Sequence, residues 1–195
     1  MRSTPQGPST AALKHPVVLA LMLFALLAAC RSDPVHYHTL TPLSAGPAGT
    51  LQSSANLALE RVTVPPQVDR TQLVVRQGSN GLAILETDWW GASLSDELQS
   101  ALAGQLDNRS FANKASLRVQ VQRFDLVPGR YALLEVKWRL RTSLPGQQPQ
   151  ELHCQSILQV SAGVAVESLV MAQQRNLERL ADMIGESSHG RCPSS

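Results

Sequence analysis

The sequence predicts an α+β fold: a mostly antiparallel sheet with two amphipathic helices packed on one face. Three observations predict it. Residues 117–122, 134–141 and 151–160 alternate apolar with polar side chains, the period of a half-wetted strand. Gly78-Ser79-Asn80-Gly81 sits between two β-branched runs, a hairpin signal. Two segments, 93–108 and 163–184, repeat their apolar residues every three to four positions.

Taken in chain order, Val35 to Leu40 reads as a strand, rich in β-branched and aromatic residues. Thr41 to Asn56 is rich in Pro, Gly, Ser and Ala and reads as a loop. Leu57 to Val64 alternates and is stopped by Pro65 and Pro66. Gln72–Arg76 and Gly81–Glu86 flank the glycine turn. The first helix begins near Ser93, which can cap it, with Asp96 and Glu97 suited to its positive end. Leu94, Leu98, Leu102 and Leu106 make its buried stripe, and it ends near Asn108. Turns at Val127–Arg130 and Pro145-Gly146 separate the three long strands. In the second helix Val166, Val170, Leu177, Leu180, Ala181 and Ile184 form the buried stripe. Gln173, Gln174, Arg175, Glu178, Arg179 and Asp182 form the wet face, and Gly185 ends it.

Residues 1–29 stand apart. Arg2, Lys14 and His15 give a basic start, and an unbroken apolar run of 13 residues follows from Val17 to Ala29. That is well short of the ~20 residues a spanning helix needs, and the run ends in small residues, as a secretory signal does. Leu27-Ala28-Ala29-Cys30 resembles the bacterial lipobox, in which cleavage between Ala29 and Cys30 exposes a thiol for acylation. The expected organisation is a signal peptide over 1–29, a lipid-anchored tether over 30–34, one domain over 35–186 and a polar tail over 187–195. In many bacteria an Asp after the lipidated Cys retains the protein in the inner membrane; Arg31 stands there, which points to the outer membrane with the domain in the periplasm.

Charge excludes one class of partner. The chain has 17 basic and 15 acidic residues, and losing Arg2 and Lys14 with the signal leaves a neutral domain. Such a domain has no electrostatic footprint for nucleic acid.

The order of several motifs resembles the auxiliary lipoproteins of ABC-type transport systems, the PqiC/YmbA family. They are Tyr37-His38-Thr39-Leu40 near the tether, then Val62 to Arg76 with Pro65, Asp69, Arg70 and Gln72. Val68 and Thr71 stand there for the usual Leu and Pro. Trp90-Gly91-Ala92-Ser93-Leu94 opens the first helix, with Ser93 for the usual Pro. Val119 to Phe124, Leu134 to Leu140 and the closing helix complete the likeness, which covers nearly all of the mature chain. The resemblance implies a role rather than a reaction. Its partners would be an MCE-domain substrate-binding protein and an inner-membrane permease component, together carrying lipids between the membranes and supporting outer-membrane integrity. The alternative is a structural outer-membrane lipoprotein that binds another envelope protein. A conduit partner of symmetric form is compatible with a homo-oligomer, ring or dimer.

Candidate site residues are few. Asp69 and Arg70, in a loop after two prolines, either dock a partner or form a local ion pair. Trp89 and Trp90 are adjacent and point different ways; one packs in the core, and Trp90 is the candidate interface anchor. His36 and His38 share a strand face, but a structural zinc takes four ligands and no third is evident, so no metal or other cofactor is assigned. Cys154 and Cys192 remain beside Cys30. In an oxidising compartment they either pair, with stabilisation of roughly 2–4 kcal/mol, or stay as a buried thiol and a loose one. There is no Gly-x-Ser-x-Gly, His-Glu-x-x-His or phosphate loop, so no catalytic residue is assigned.

Overall fold

In the computed structural model, residues 33–43, 56–107, 109, 111–143, 145–187 and 190–193 are described. The expected signal, the expected cleavage position with Cys30, and most of the segment 41–56 read as a loop lie outside them. All assigned elements fall in the unit Val35–Ser195. They run β1 (His36–His38), β2 (Leu57–Thr63), β3 (Gln72–Gln77), β4 (Gly81–Trp90), α1 (Leu94–Asp107), β5 (Lys114–Val127), β6 (Tyr131–Ser143), β7 (Gln150–Ser161) and α2 (Val166–Glu186).

The α+β class is as the patterns predict, but one expectation is corrected. Among the described residues there are two sheets, not one, and both are mixed. The smaller has the order β1-β4-β3 and the larger β2-β5-β6-β7. β1 lies parallel to β4 and β2 parallel to β5, while the other three pairings are antiparallel. The parallel pairs join segments some fifty residues apart, such as Leu57 with Ala115. A pairing of that kind requires an intervening crossover, here the β3–β4 hairpin and α1.

β5, β6 and β7 form a long meander whose inner face is apolar. Leu117, Val119 and Val121 stand beside Leu134, Val136, Trp138 and Leu140, all buried. Gly129, at φ 72°, makes the β5–β6 turn in a backbone region that L side chains rarely adopt. α2 packs on β6 and β7, and α1 packs on β2 and on α2. The four α1 leucines are each at most 2% exposed, and burying each contributes roughly 1.5–3 kcal/mol. The two sheets are tied where β3 meets β5. There the buried Asp125 carboxylate accepts Arg76 Nε at 2.8 Å and Arg123 at 2.6 Å. Nearby, Trp90 packs edge-on against Phe124.

α2 departs from its expected outline. It begins at Val166, after Gly163 has donated its N–H to Ser168 Oγ at 2.7 Å. Gly185 does not end it; the helix continues to Glu186, and Ser187 closes it with its hydroxyl donated to Met183 O. Gln173 is not on the wet face. It is fully buried with Asn176, and their amides donate to Leu133 O at 3.0 Å and Ala132 O at 3.1 Å. A polar pair in the core is held because it docks the helix on backbone acceptors of β6. No described helix is long and apolar enough to cross a membrane.

Candidate functional site

Sequence singles out four places, and the structure gives each a defined setting. Asp69 does not pair with Arg70. Its Oδ1 accepts the N–H of Ser95 at 3.1 Å, while Ser93 Oγ accepts that of Asp96 at 3.3 Å. Two of the orphan donors of α1 are thus satisfied, one by its own cap and one by a loop from 26 positions upstream. Asp69 also lines a surface recess of about 430 Å³ with Glu60, Arg61, Ser95, Asp96 and Gln99. Arg70 is half-buried, and its Nε has no protein partner.

Trp90 is corrected as a surface anchor. It is 2% exposed and forms part of the core, because β4 runs on through Thr87, Asp88 and Trp89 and delivers residue 90 inward onto Phe124. Trp89 is the indole left at the surface. Its Nε1 donates to Glu86 O at 2.8 Å, and Tyr37, its partner in register on β1, meets it edge-on at 6.4 Å. His38 shares a hydrogen bond of 2.9 Å with Asp88.

The chain leaving β1 is clamped from several sides. His38 O accepts the N–H of Gly91 at 2.9 Å. Glu97, 7% exposed, accepts the Thr39 hydroxyl at 2.8 Å and the Leu40 N–H at 2.9 Å through Oε2. Its Oε1 lies where a Cβ on Gly91 would come within 2.9 Å, so glycine leaves room for the carboxylate. Gln174 of α2 donates to Thr39 O at 3.0 Å. The hydrogen bonds of this clamp are not legible locally, since their partners stand 53 to 135 positions apart.

Cys154 and Cys192 are joined, with their Cα atoms 5.6 Å apart. The bond fixes the tail beside β7. Behind Cys154, Trp138 donates its indole N–H to the buried Ser156 Oγ at 3.1 Å.

The outer face of the larger sheet is polar. Its pairing aligns Arg118, Arg139 and His153 in one row and Gln120, Lys137 and Gln155 in the next. These side chains line a shallow recess of about 480 Å³. Like charges side by side on a sheet are unfavourable, and carboxylates offset them. Glu60 meets Arg118 at 3.0 Å, and Glu151 lies 3.8 Å from Arg139 and 3.4 Å from His153. Glu60 sits at the β2 irregularity between Leu59 and Arg61. A hydrogen bond from Ser116, then Arg118, holds its carboxyl below its ordinary pKa. Among the described residues no cluster of three or more His, Cys, Asp or Glu is placed to hold a metal.

The family model described as ABC-type transport auxiliary lipoprotein component matches residues 38–185, from the end of β1 almost to the end of α2. The fold is similar to a crystal structure of an uncharacterized protein, at 16% identity and a TM-score of 0.63, over 80% of this chain and 99% of that one. It is also similar to a crystal structure of a protein from Xanthomonas campestris, at 14% identity and a TM-score of 0.54, over 80% of this chain and 95% of that one. At such identities the likeness is one of fold. No curated protein matches the chain.

Proposed function

The chain belongs to the family of ABC-type transport auxiliary lipoprotein components, and we propose that it serves one such system as a binding and assembly subunit rather than as a catalyst. In this reading Cys30 carries the lipid, the signal is removed after Ala29, and the domain stands in the periplasm on the outer membrane. It works with an MCE-type substrate-binding protein and an inner-membrane permease to move lipids between the membranes, and so supports outer-membrane integrity.

The observation that carries the reading is the family match across the folded domain. Leu27-Ala28-Ala29-Cys30 and the absence of an Asp after the Cys support the anchor and its membrane. The residues of the family's motifs serve mainly to build the fold: Asp69 caps α1, and Trp90 fills the core. That suits a role in which surfaces, not a reactive centre, do the work.

Affinity purification of the native protein from detergent-solubilised envelopes tests the partners. Recovery of an MCE-type protein and a permease is expected. A clean preparation that contains neither, from cells that express both, counts decisively against the transport role. Deletion of the gene is expected to disturb lipid asymmetry and raise detergent sensitivity.

A further inference from the structure

The exposed apolar side chains are not scattered evenly. Of the eight large ones among the described residues, four lie in the strands of the small sheet or directly before them: Val35, Tyr37, Leu82 and Ile84. Tyr37 is 68% exposed although it is aromatic. Strand register gathers them. Tyr37 pairs with Trp89, Gln72 with Trp89, Val74 with Ile84 and Arg76 with Leu82. Ala83 and Leu85 pack on the core and so does Trp90, so the irregularity in β4 between Ile84 and Trp89 switches the alternation and leaves Trp89, with its partner Tyr37, on the side of Ile84 and Leu82.

This is also the sheet that the chain enters first. Cys30 and His36 are six positions apart, a span of at most roughly 20–22 Å at about 3.3–3.6 Å per residue. A thiol acylated at position 30 therefore keeps β1 within that distance of the bilayer surface. Tyr and Trp side chains, with an apolar ring and one polar atom, are the residues suited to the headgroup boundary, and aliphatic neighbours add buried area. Arg76, which the register places on the same face, is already held by Asp125 at 2.8 Å. Attraction to anionic lipid is therefore not what would drive the contact.

We infer that the face of Tyr37, Trp89, Ile84 and Leu82 rests on the bilayer that holds the protein's own lipid anchor, so that the domain has a fixed orientation above the membrane. The inference builds on the lipidation of Cys30 proposed above. The contact is interfacial and apolar, and salt leaves it in place.

The molecule carries its own reporter. Of its three tryptophans, Trp90 and Trp138 are each 2% exposed, which leaves Trp89 as the indole within reach of lipid. The full-length lipoprotein is reconstituted in vesicles of phosphatidylcholine that carry bromine either near the glycerol or deep in the chain. Mass spectrometry of the same sample reads the modification of Cys30. Shallow bromine is expected to quench part of the emission more than deep bromine does, equally at low and high salt, and Trp89→Phe is expected to abolish the effect. Ile84→Trp, at a half-exposed position, is expected to add a second quenchable indole if the Trp89 variant folds poorly. A protein with lipid on Cys30 and no quenching overturns the membrane-facing surface while leaving the anchor intact. An unmodified Cys30 overturns the anchor and the orientation together. If instead the face is covered by a second copy, Tyr37→Ser lowers the mass of a detergent-solubilised oligomer and the unquenched Trp89 rejects the bilayer.

Discussion

The Glu97 carboxylate on the first turn of α1 accepts the backbone N–H of Leu40 at 2.9 Å, across 57 positions of chain. A side chain suited by charge to the helix N-terminus thus also holds the chain leaving β1 in place. Glu97→Ala leaves the buried Leu40 N–H and the Thr39 hydroxyl without this acceptor. The expected cost is roughly 2 kcal/mol, a fall in Tm of roughly 4–8 °C for a domain of this size. Calorimetry on the variant checks it, and a Tm within a degree of the parent contradicts the clamp.

The neighbours Gln173 and Arg175 on α2 should respond in opposite ways to the same change. Gln173→Leu removes the bond to Leu133 O and leaves Asn176 without its Gln173 Oε1 acceptor, both in the core. A loss of about 1–3 kcal/mol is expected in urea unfolding. Arg175→Leu alters an exposed position and should stay within about 0.5 kcal/mol. Equal effects at the two positions would show that the amide pair does not dock the helix.

Reduction of the Cys154–Cys192 bond should free the tail without dismantling the sheet. The bond closes a loop of 38 positions, and its loss is expected to lower stability by roughly 2–4 kcal/mol. Thermal scans with and without reductant measure this, and the Cys154→Ala, Cys192→Ala double variant should match the reduced protein and show no response to reductant.

Glu60 sets an acid-side dependence. Its carboxyl is held below the ordinary value of 4.5 by the Ser116 hydroxyl and then by Arg118. The folded state therefore keeps this carboxylate charged to lower pH than the unfolded chain does. Its contribution is present above the ordinary carboxylate range and is lost as pH falls through the lowered folded value. Glu60→Gln should lower Tm slightly at pH 7, and the difference from the parent should narrow as pH falls below 4.5 and close once the folded carboxyl is protonated. A difference that is constant with pH would assign the effect to shape, not charge.

In the loop after Pro66, Asp69→Ala should weaken the start of α1. The N–H of Ser95 loses its acceptor while that of Asp96 keeps Ser93. A cost of about 1 kcal/mol is expected, with amide exchange accelerated at the first turn of α1 and unchanged at its end.

The parts of this fold written in short-range pattern are readable from sequence. Leu94, Leu98, Leu102 and Leu106 declare a helix and its buried side, and the alternation through Leu134, Val136, Trp138 and Leu140 declares a strand and its inner face. What escapes is set by distant chain. The parallel pairing of Leu57 with Ala115 leaves no local trace, so a second sheet is not visible. Gln173 reads as a surface residue because its polarity is local and its acceptor, Leu133 O, is not. Of two adjacent tryptophans, sequence tells that they diverge but not which turns inward. That depends on the irregular β3–β4 register between Gln72 and Val74, which carries Trp90 to Phe124. The surface site follows the same rule, for Tyr37 comes beside Trp89 only once β1 pairs with β4.

The parallel pairing of β1 with β4 has a mechanical consequence. A force pulling on the N-terminal end of β1 acts along the strand, in shear, so that its bonds resist together instead of peeling one after another. Beyond the strand, the load passes through Leu40 to Glu97 and through Thr39 to Gln174, and so into both helices at once. Three residues of strand are thereby coupled to the sheet and to both helices of the domain.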